Sequence, residues 1–278
     1  MALRIASLNS GSNGNCYYIG NGEEAVFVDA GLSCRETELR MKRLSLPMNQ
    51  IKAIFISHEH SDHILGVNQL VAKYQIPVYV SQHTLKEAGF WKIRKFTFHF
   101  NDQQPVIIGG LRITAFQKKH DARDPHSFVV SGAKTNIGVF TDIGSPCDQL
   151  IHYFKQCHAA FLEANYDEDM LDKGRYPFIL KNRIRGGEGH LSNLQALEIY
   201  KKHRPDFMSH LLLSHLSKEN NSPELVTNLF NSFPTDTRIV VASRYHESDI
   251  YEISTPEVPN HTFRPRNKPA GKQQLSLF

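Results

Sequence analysis

His58-Glu59-His60-Ser61-Asp62-His63 follows almost directly on the apolar run Ile51-Lys52-Ala53-Ile54-Phe55-Ile56. Three imidazoles and the Asp62 carboxylate thus crowd into six residues just past a strand-like segment. A strand that ends in such a loop can aim two pairs of ligands at two neighbouring metal ions. Imidazole and carboxylate are ligands that zinc, manganese and iron accept. Buried polar groups need partners, so a chance cluster of this kind is disfavoured. The pattern H-x-H-x-D-H asks for a fold whose strand ends meet at one edge.

The 278 residues suffice for one large domain or two small ones with a sizeable core. A formal net charge of +4 is too mild to predict nucleic-acid binding by itself. Cys16, Cys34, Cys147 and Cys157 are scattered, with no C-x-x-C pair. That argues against a zinc knuckle or a disulfide framework and fits a reducing compartment. The start, Met1-Ala2-Leu3-Arg4-Ile5-Ala6, reads as a strand without a signal-length apolar core. No segment approaches a membrane span, so a cytoplasmic protein with no membrane partner is expected.

Hydrophobic runs and turn residues predict strands at 3–8, 16–19, 25–28, 51–56, 77–80, 106–108, 111–116, 127–130, 135–140, 159–162, 210–213, 238–241 and 250–253. Ser33 and Glu36 form a predicted capping box opening a helix toward Leu46. Further helices are predicted over 64–74, 147–154, 191–202 and 223–233, the first with Leu65, Leu70 and Val71 facing inward. Asn9-Ser10-Gly11-Ser12-Asn13-Gly14-Asn15 reads as a turn. Strand-rich halves interleaved with helices predict an α/β protein with two packed sheets and helices outside. No internal repeat is obvious. From about Thr255 the composition changes to Pro and basic residues. The expected organisation is therefore a catalytic domain over 1–254 and a basic, disordered tail over 255–278.

A two-metal site needs ligands from distant strand ends. His120, Asp142 and His215 each follow an apolar strand, with His126 competing for the place of His120. The natural division puts His58, His60 and His120 on one ion and Asp62, His63 and His215 on the other. Asp142 would then bridge. Two such ions lie roughly 3.5–4 Å apart and share a hydroxide that is nucleophilic at neutral pH. Zinc and manganese are not distinguished by these ligand types.

With Asp29 in Phe27-Val28-Asp29-Ala30-Gly31, the H-x-H-x-D-H pattern resembles the metallo-β-lactamase superfamily. The turn at Ser10–Asn15, Lys119-His120-Asp121-Ala122 and Thr141-Asp142-Ile143-Gly144 resemble its YycJ/WalJ branch. So do Gly174-Arg175-Tyr176-Pro177, Gly189-His190-Leu191-Ser192-Asn193 and His215-Leu216-Ser217-Lys218-Glu219-Asn220-Asn221, across roughly the first 250 residues. The resemblance implies an αββα four-layer sandwich and a binuclear site with His120 rather than His126 as ligand. It also implies a nuclease, a 5′-exonuclease acting on DNA. Related nucleases place a histidine near the scissile phosphate between the last Asp and His ligands, and His190 matches that place. Its implied role is to protonate the leaving oxygen or hold a phosphate oxygen. Asp62 would orient the nucleophile as well as bind metal, with Asp29 organising the loop behind. The stretch from Asp142 to His215 is too short for the capping domain of the β-CASP RNA nucleases. An RNA nuclease like the tRNA 3′-processing enzymes, and a small-molecule thioester or lactam hydrolase, are the competing readings.

Lys173, Arg175, Lys181, Arg183 and Arg185 precede His190 with little opposing charge nearby in sequence, interleaved with Tyr166, Tyr176 and Phe178. Such a run either binds phosphates and unpaired bases or forms a solvated face. Lys92, Arg94 and Lys95 make a second basic cluster, read as surface. Ser192 and Asn193 either cap the helix that follows or contact phosphate. The tail ends in Gln274-Leu275-Ser276-Leu277-Phe278, similar to the bacterial sliding-clamp-binding pentapeptide. Gln274, Leu275, Leu277 and Phe278 would be the anchors that tether the enzyme to a clamp on DNA in repair or replication.

Overall fold

The computed structural model describes residues 2–255. The proposed clamp-binding residues, and nearly all of the tail, lie outside the described residues.

The chain makes the same plan twice. β1 (Leu3–Asn9), β2 (Cys16–Gly20) and β3 (Ala25–Val28) form an antiparallel meander. Helix α1 (Cys34–Arg43) crosses to β4 (Ile51–Phe55), which pairs parallel with β3. Helices α2 (Ser61–Ile64) and α3 (Val67–Tyr74) lead to β5 (Val78–Val80). Helix α4 (Gln82–Glu87) and a 3₁₀ stretch, Phe90–Phe96, lead to β6 (Thr97–His99), so that β5 and β6 extend the parallel part. In the second half β7 (Pro105–Ile108), β8 (Leu111–Gln117), β9 (His126–Gly132) and β10 (Thr135–Phe140) are antiparallel. Helix α5 (Asp148–Phe154) leads to β11 (Ala159–Glu163). Helices α6 (Glu168–Lys173), α7 (Phe178–Arg185) and α8 (Asn193–His203) precede β12 (His210–Ser214). Helix α9 (Pro223–Asn231) leads to β13 (Arg238–Val241), and β11, β12 and β13 are parallel additions. Last, β14 (Tyr251–Ile253) crosses back to pair with β1.

Two seven-stranded sheets result, ordered β14-β1-β2-β3-β4-β5-β6 and β13-β12-β11-β10-β9-β8-β7. Three apolar layers hold the sandwich. Tyr17, Val28, Phe55, Phe128 and Phe161 fill the space between sheets. Phe27, Leu70 and Val71 pack the first sheet against its helices. Phe140, Leu150, Leu213 and Phe230 do so for the second. Strands covered on both faces read as continuous apolar runs, and β3 and β11 are buried throughout. The fold is the expected αββα four-layer sandwich.

Several local expectations change. The helix expected over 64–74 is broken between α2 and α3. Gly66 sits at the break, where an added Cβ would come within 2.0 Å of the Leu32 carbonyl oxygen. The break turns Leu65 outward, 62% exposed, whereas Leu70 and Val71 are buried as expected. Only half of the Ser33/Glu36 box forms. Ser33 caps Glu36 N, while the Glu36 carboxylate pairs with Arg40 instead. The strands predicted over 238–241 and 250–253 are expected to finish one sheet together, but β13 and β14 lie at the edges of different sheets.

Candidate metal centre

Three residues just past strand ends have left-handed backbone: Asp29 after β3 (φ 60°), Asp142 after β10 (φ 54°) and His215 after β12 (φ 58°). This conformation costs an L-residue roughly 1 kcal/mol or more, so the surroundings must hold it. Asp29 N donates to Phe55 O at 2.8 Å, and His215 N donates to Ser10 Oγ at 2.7 Å. Beside Asp142, the buried Lys118 ammonium donates to Thr141 O at 2.7 Å. The Ser10–Asn15 turn closes on the same place. Asn15 N donates to Asp62 O at 2.7 Å, and Asn15 Nδ2 lies 3.1 Å from both Asp62 Oδ2 and His63 Nε2.

The structure brings His58, His60, Asp62, His63, His120, Asp142 and His215 into one cluster. Donor atoms of His58, His60 and His120 lie within 4.8 Å of one another, as do those of Asp62, His63 and His215. These are the two triads of the sequence reading. Asp142 stands between them, with Oδ2 3.2 Å from His63 Nε2 and Oδ1 3.8 Å from His120 Nε2. His126 stays out of the cluster. Its ring packs on Phe100, and its Nδ1 lies 2.9 Å from Asp124 O.

Partners behind the rings fix which nitrogen faces the centre. His63 Nδ1 donates to Asp29 Oδ2 at 2.7 Å, His120 Nδ1 to Gly189 O at 3.0 Å and His215 Nδ1 to Glu163 Oε1 at 2.9 Å. Ser57 donates its hydroxyl to Asp29 Oδ2 and so accepts from His58 Nδ1 at 2.9 Å. Each of these four rings keeps Nε2 for the centre, and His60 Nδ1 lies 3.0 Å from His58 Nε2.

Burial opposes charge on these four rings. It prevails at His58, whose pKa falls well below the usual imidazole range, and at His120, pushed down to about 4. At His63 burial is outweighed by the Asp142, Asp29 and Asp62 carboxylates, which hold its pKa well above the ordinary value. At His215 burial is outweighed by Asp142, Asp62 and Glu163, and its pKa rises to about 10. The carboxylates at this edge therefore call for positive charge, which bound cations would supply.

The donor set fits divalent metal. His120 Nε2, His215 Nε2 and Asp142 Oδ2 are buried without a hydrogen-bond partner. A buried polar atom left unpaired costs about 1–3 kcal/mol. Three such atoms in one cluster of imidazoles and carboxylates are what a metal ligand set requires.

Glu163, absent from the sequence reading, is fully buried at the end of β11. Its Oε1 accepts from His190 Nδ1 at 2.8 Å and from His215 Nδ1, while Oε2 accepts from Ile143 N and Leu191 N. The signal was present: Glu163 is the first carboxylate after the apolar run 159–162, the rule that singled out Asp142. Ser57, Asn15 and Lys118 carried no comparable signal.

His190 lines a cleft of about 170 Å³ with Ser12, Asn165, Tyr176, Arg183 and Ser217. The basic run ahead of it is less free than the sequence implied. Lys173 pairs with Asp169, Arg183 with Asp121 and Arg185 with Asp172, while Lys181 donates to Asp172 O. Of the run, Arg183 lines the His190 cleft; Arg175 is exposed, and Arg185 lines a separate depression beside Tyr166. Tyr166 is itself buried, so it offers no face for stacking. Ser192 and Asn193 are turned into the protein. Ser192 is buried and caps α8, completing a capping box with Gln195. Asn193 is buried and bonds to Asn221.

The family model for the beta-lactamase superfamily domain matches residues 24–215. Exodeoxyribonuclease YycJ of Bacillus anthracis is 35% identical over 230 residues, which is 81% of this chain and 86% of that protein. Exodeoxyribonuclease WalJ of Streptococcus pneumoniae is 31% identical over the same shares. The crystal structure of the metallo-beta-lactamase fold protein YhfI from Bacillus subtilis has a TM-score of 0.70 at 18% identity, covering 90% of this chain and 99% of that one. Among the described residues no helix is long and apolar enough to cross a membrane. A likeness spanning four fifths of the chain, on this fold, places the chain in the metallo-β-lactamase superfamily of metal-dependent hydrolases, in its YycJ/WalJ-like branch.

Proposed function

We propose that this chain is a binuclear metal-dependent nuclease that removes nucleotides from the 5′ end of DNA. The observation that carries the reading is His190, held by a buried carboxylate and opening on a cleft beside the ligand cluster. A lactam or thioester hydrolase has less use for a proton donor paired with Arg183 in one cleft. DNA as substrate is supported by the two relatives named exodeoxyribonuclease.

His58, His60 and His120 would hold one ion, Asp62, His63 and His215 the other, and Asp142 both. When bound, two zinc or manganese ions would activate the attacking water at neutral pH and stabilise charge on the phosphoryl oxygens. Asp29 and Ser57 keep the His58 and His63 rings in register. With its Nδ1–H on Glu163, His190 keeps Nε2 for the substrate, where it delivers a proton to the leaving oxygen. Arg183 offers charge to a neighbouring phosphate from the same cleft.

End-labelled single- and double-stranded DNA and matched RNA, assayed with each metal, test the proposal. Release of nucleotides from a DNA 5′ end is expected, and it should be lost in His60→Ala and in Asp142→Ala. A fully metallated protein inert on every DNA end refutes it. Faster digestion of RNA would instead favour an RNA-processing enzyme.

We also infer that the C-terminal pentapeptide docks on a sliding clamp and brings the enzyme to DNA under repair or replication. A short apolar anchor on a long tether supports this reading.

A further inference from the structure

We propose that α4 and the 3₁₀ stretch after it form a second nucleic-acid contact, where Trp91 stacks on an unpaired base and Lys86 and Arg94 hold the adjacent backbone. The inference deepens the nuclease reading and rests on it for the idea that the strand also reaches the metal centre.

Trp91 is 77% exposed. An indole so exposed forfeits much of the burial that makes the residue favourable, and the cation over its face is Lys92, whose Nζ lies 5.7 Å from the ring centroid. Trp91 stands at the rim of a cavity of about 270 Å³, with Gln82, Lys86, Arg94 and His99 around it and the buried Phe90 beneath. Lys92 and Lys95 extend the positive charge along the same stretch. Among the described residues none of Lys86, Lys92, Arg94 and Lys95 makes an ion pair. Three of the five cations ahead of His190, by contrast, pair with aspartates. Glu87 is the acidic group on α4, and it lies at a different depression, with Glu59, His120 and Arg123.

That placement gives the patch its relation to the metal centre. Helix α4, capped by Ser81, begins just past β5, beside the strand that leads to His58. Thr84 Oγ1 donates to Asp124 O at 3.3 Å, tying α4 to the loop after His120. One short helix thus borders both the mouth of the metal centre and the Trp91 cavity. Free cations beside an exposed aromatic face match a polyanion with unstacked bases, the chemistry of a single strand. Paired bases in a duplex offer no free face to the indole.

Trp91 is the single tryptophan of the chain, so its fluorescence reports on this patch alone. The full, metal-loaded chain would be titrated with a phosphorothioate single strand of about 30 nucleotides, which resists cutting and exceeds known single-strand footprints. Matched arms use the blunt duplex and inorganic polyphosphate. Saturable quenching by the single strand, with little from duplex or polyphosphate, is expected. Trp91→Ala should weaken single-strand binding, read by anisotropy of labelled DNA, by roughly five- to hundred-fold. Lys86→Gln with Arg94→Gln should reduce the slope of log affinity against log salt by about 0.7 per cation removed. Binding with unchanged Trp91 emission overturns the proposal. So does equal quenching by polyphosphate, which would mark a general polyanion surface such as one for acidic proteins. Quenching without cutting of any DNA end leaves this contact standing and removes the nuclease reading. Cutting with an unaltered KM for long strands in Trp91→Ala does the reverse.

Discussion

Glu163 shows how much of the site depends on one residue outside the metal-binding motif. Its two oxygens take four donors, two from the imidazoles of His190 and His215 and two from backbone amides. Burial pushes its carboxyl up, but the adjacent His190 and the imidazole hydrogen bonds bring it down to about 2, from an ordinary 4.5. A carboxyl lowered by folding contributes stability that is complete above its unfolded value and lost as pH falls through its folded value. Glu163→Gln should therefore flatten the fall of urea-unfolding free energy between pH 4.5 and about 2. The same change removes the carboxylate oxygen that accepts from His190 Nδ1 at 2.8 Å and so loosens the hold on that ring. Activity should fall by roughly 10²-fold. Activity kept within a few-fold, with stability lowered, would mean that Glu163 packs the fold without positioning His190.

Elements were legible where burial imposes a period and obscure where it does not. Strands such as β3, β10 and β11 are apolar on both faces, so their ends, and hence Asp142, could be read from sequence, whereas Asp29 stood out only through the family resemblance. Helix α7 buries none of its residues, leaving no periodic signal to find. The Arg183–Asp121 pair, 62 residues apart, is likewise invisible to local pattern. The break before α3 is a subtler case, because Ile64–Tyr74 has acceptable helical spacing throughout. What stops the helix is contact: Gly66 N donates to Ala30 O at 2.9 Å, and the Leu32 carbonyl fills the place of a Cβ. Gly66→Ala should then cost about 1–3 kcal/mol or more in urea unfolding, as overpacking against backbone does. Leu65→Ala, on an exposed side chain, should stay within about 0.5 kcal/mol. Comparable losses in the two variants would refute the outward turn of Leu65.

At the scale of the molecule, the two halves share a plan that their sequences conceal. Each sheet runs antiparallel and then parallel, and the change falls at β3 in one and β10 in the other. Asp29 and Asp142 follow those two strands in the same left-handed backbone conformation. The cluster thus sits where the two halves present equivalent strand ends to each other. The proposed metal ligands all fall between His58 and His215, so the proposed tether can be removed without altering any of them. Removing Gln274–Phe278 should abolish clamp binding and spare cutting of short DNA. On clamp-loaded DNA the loss of local concentration should lower apparent affinity by roughly 10²–10⁴-fold. Affinity for the clamp measured with and without the pentapeptide decides the matter, since survival of binding in the truncated chain would place the contact elsewhere.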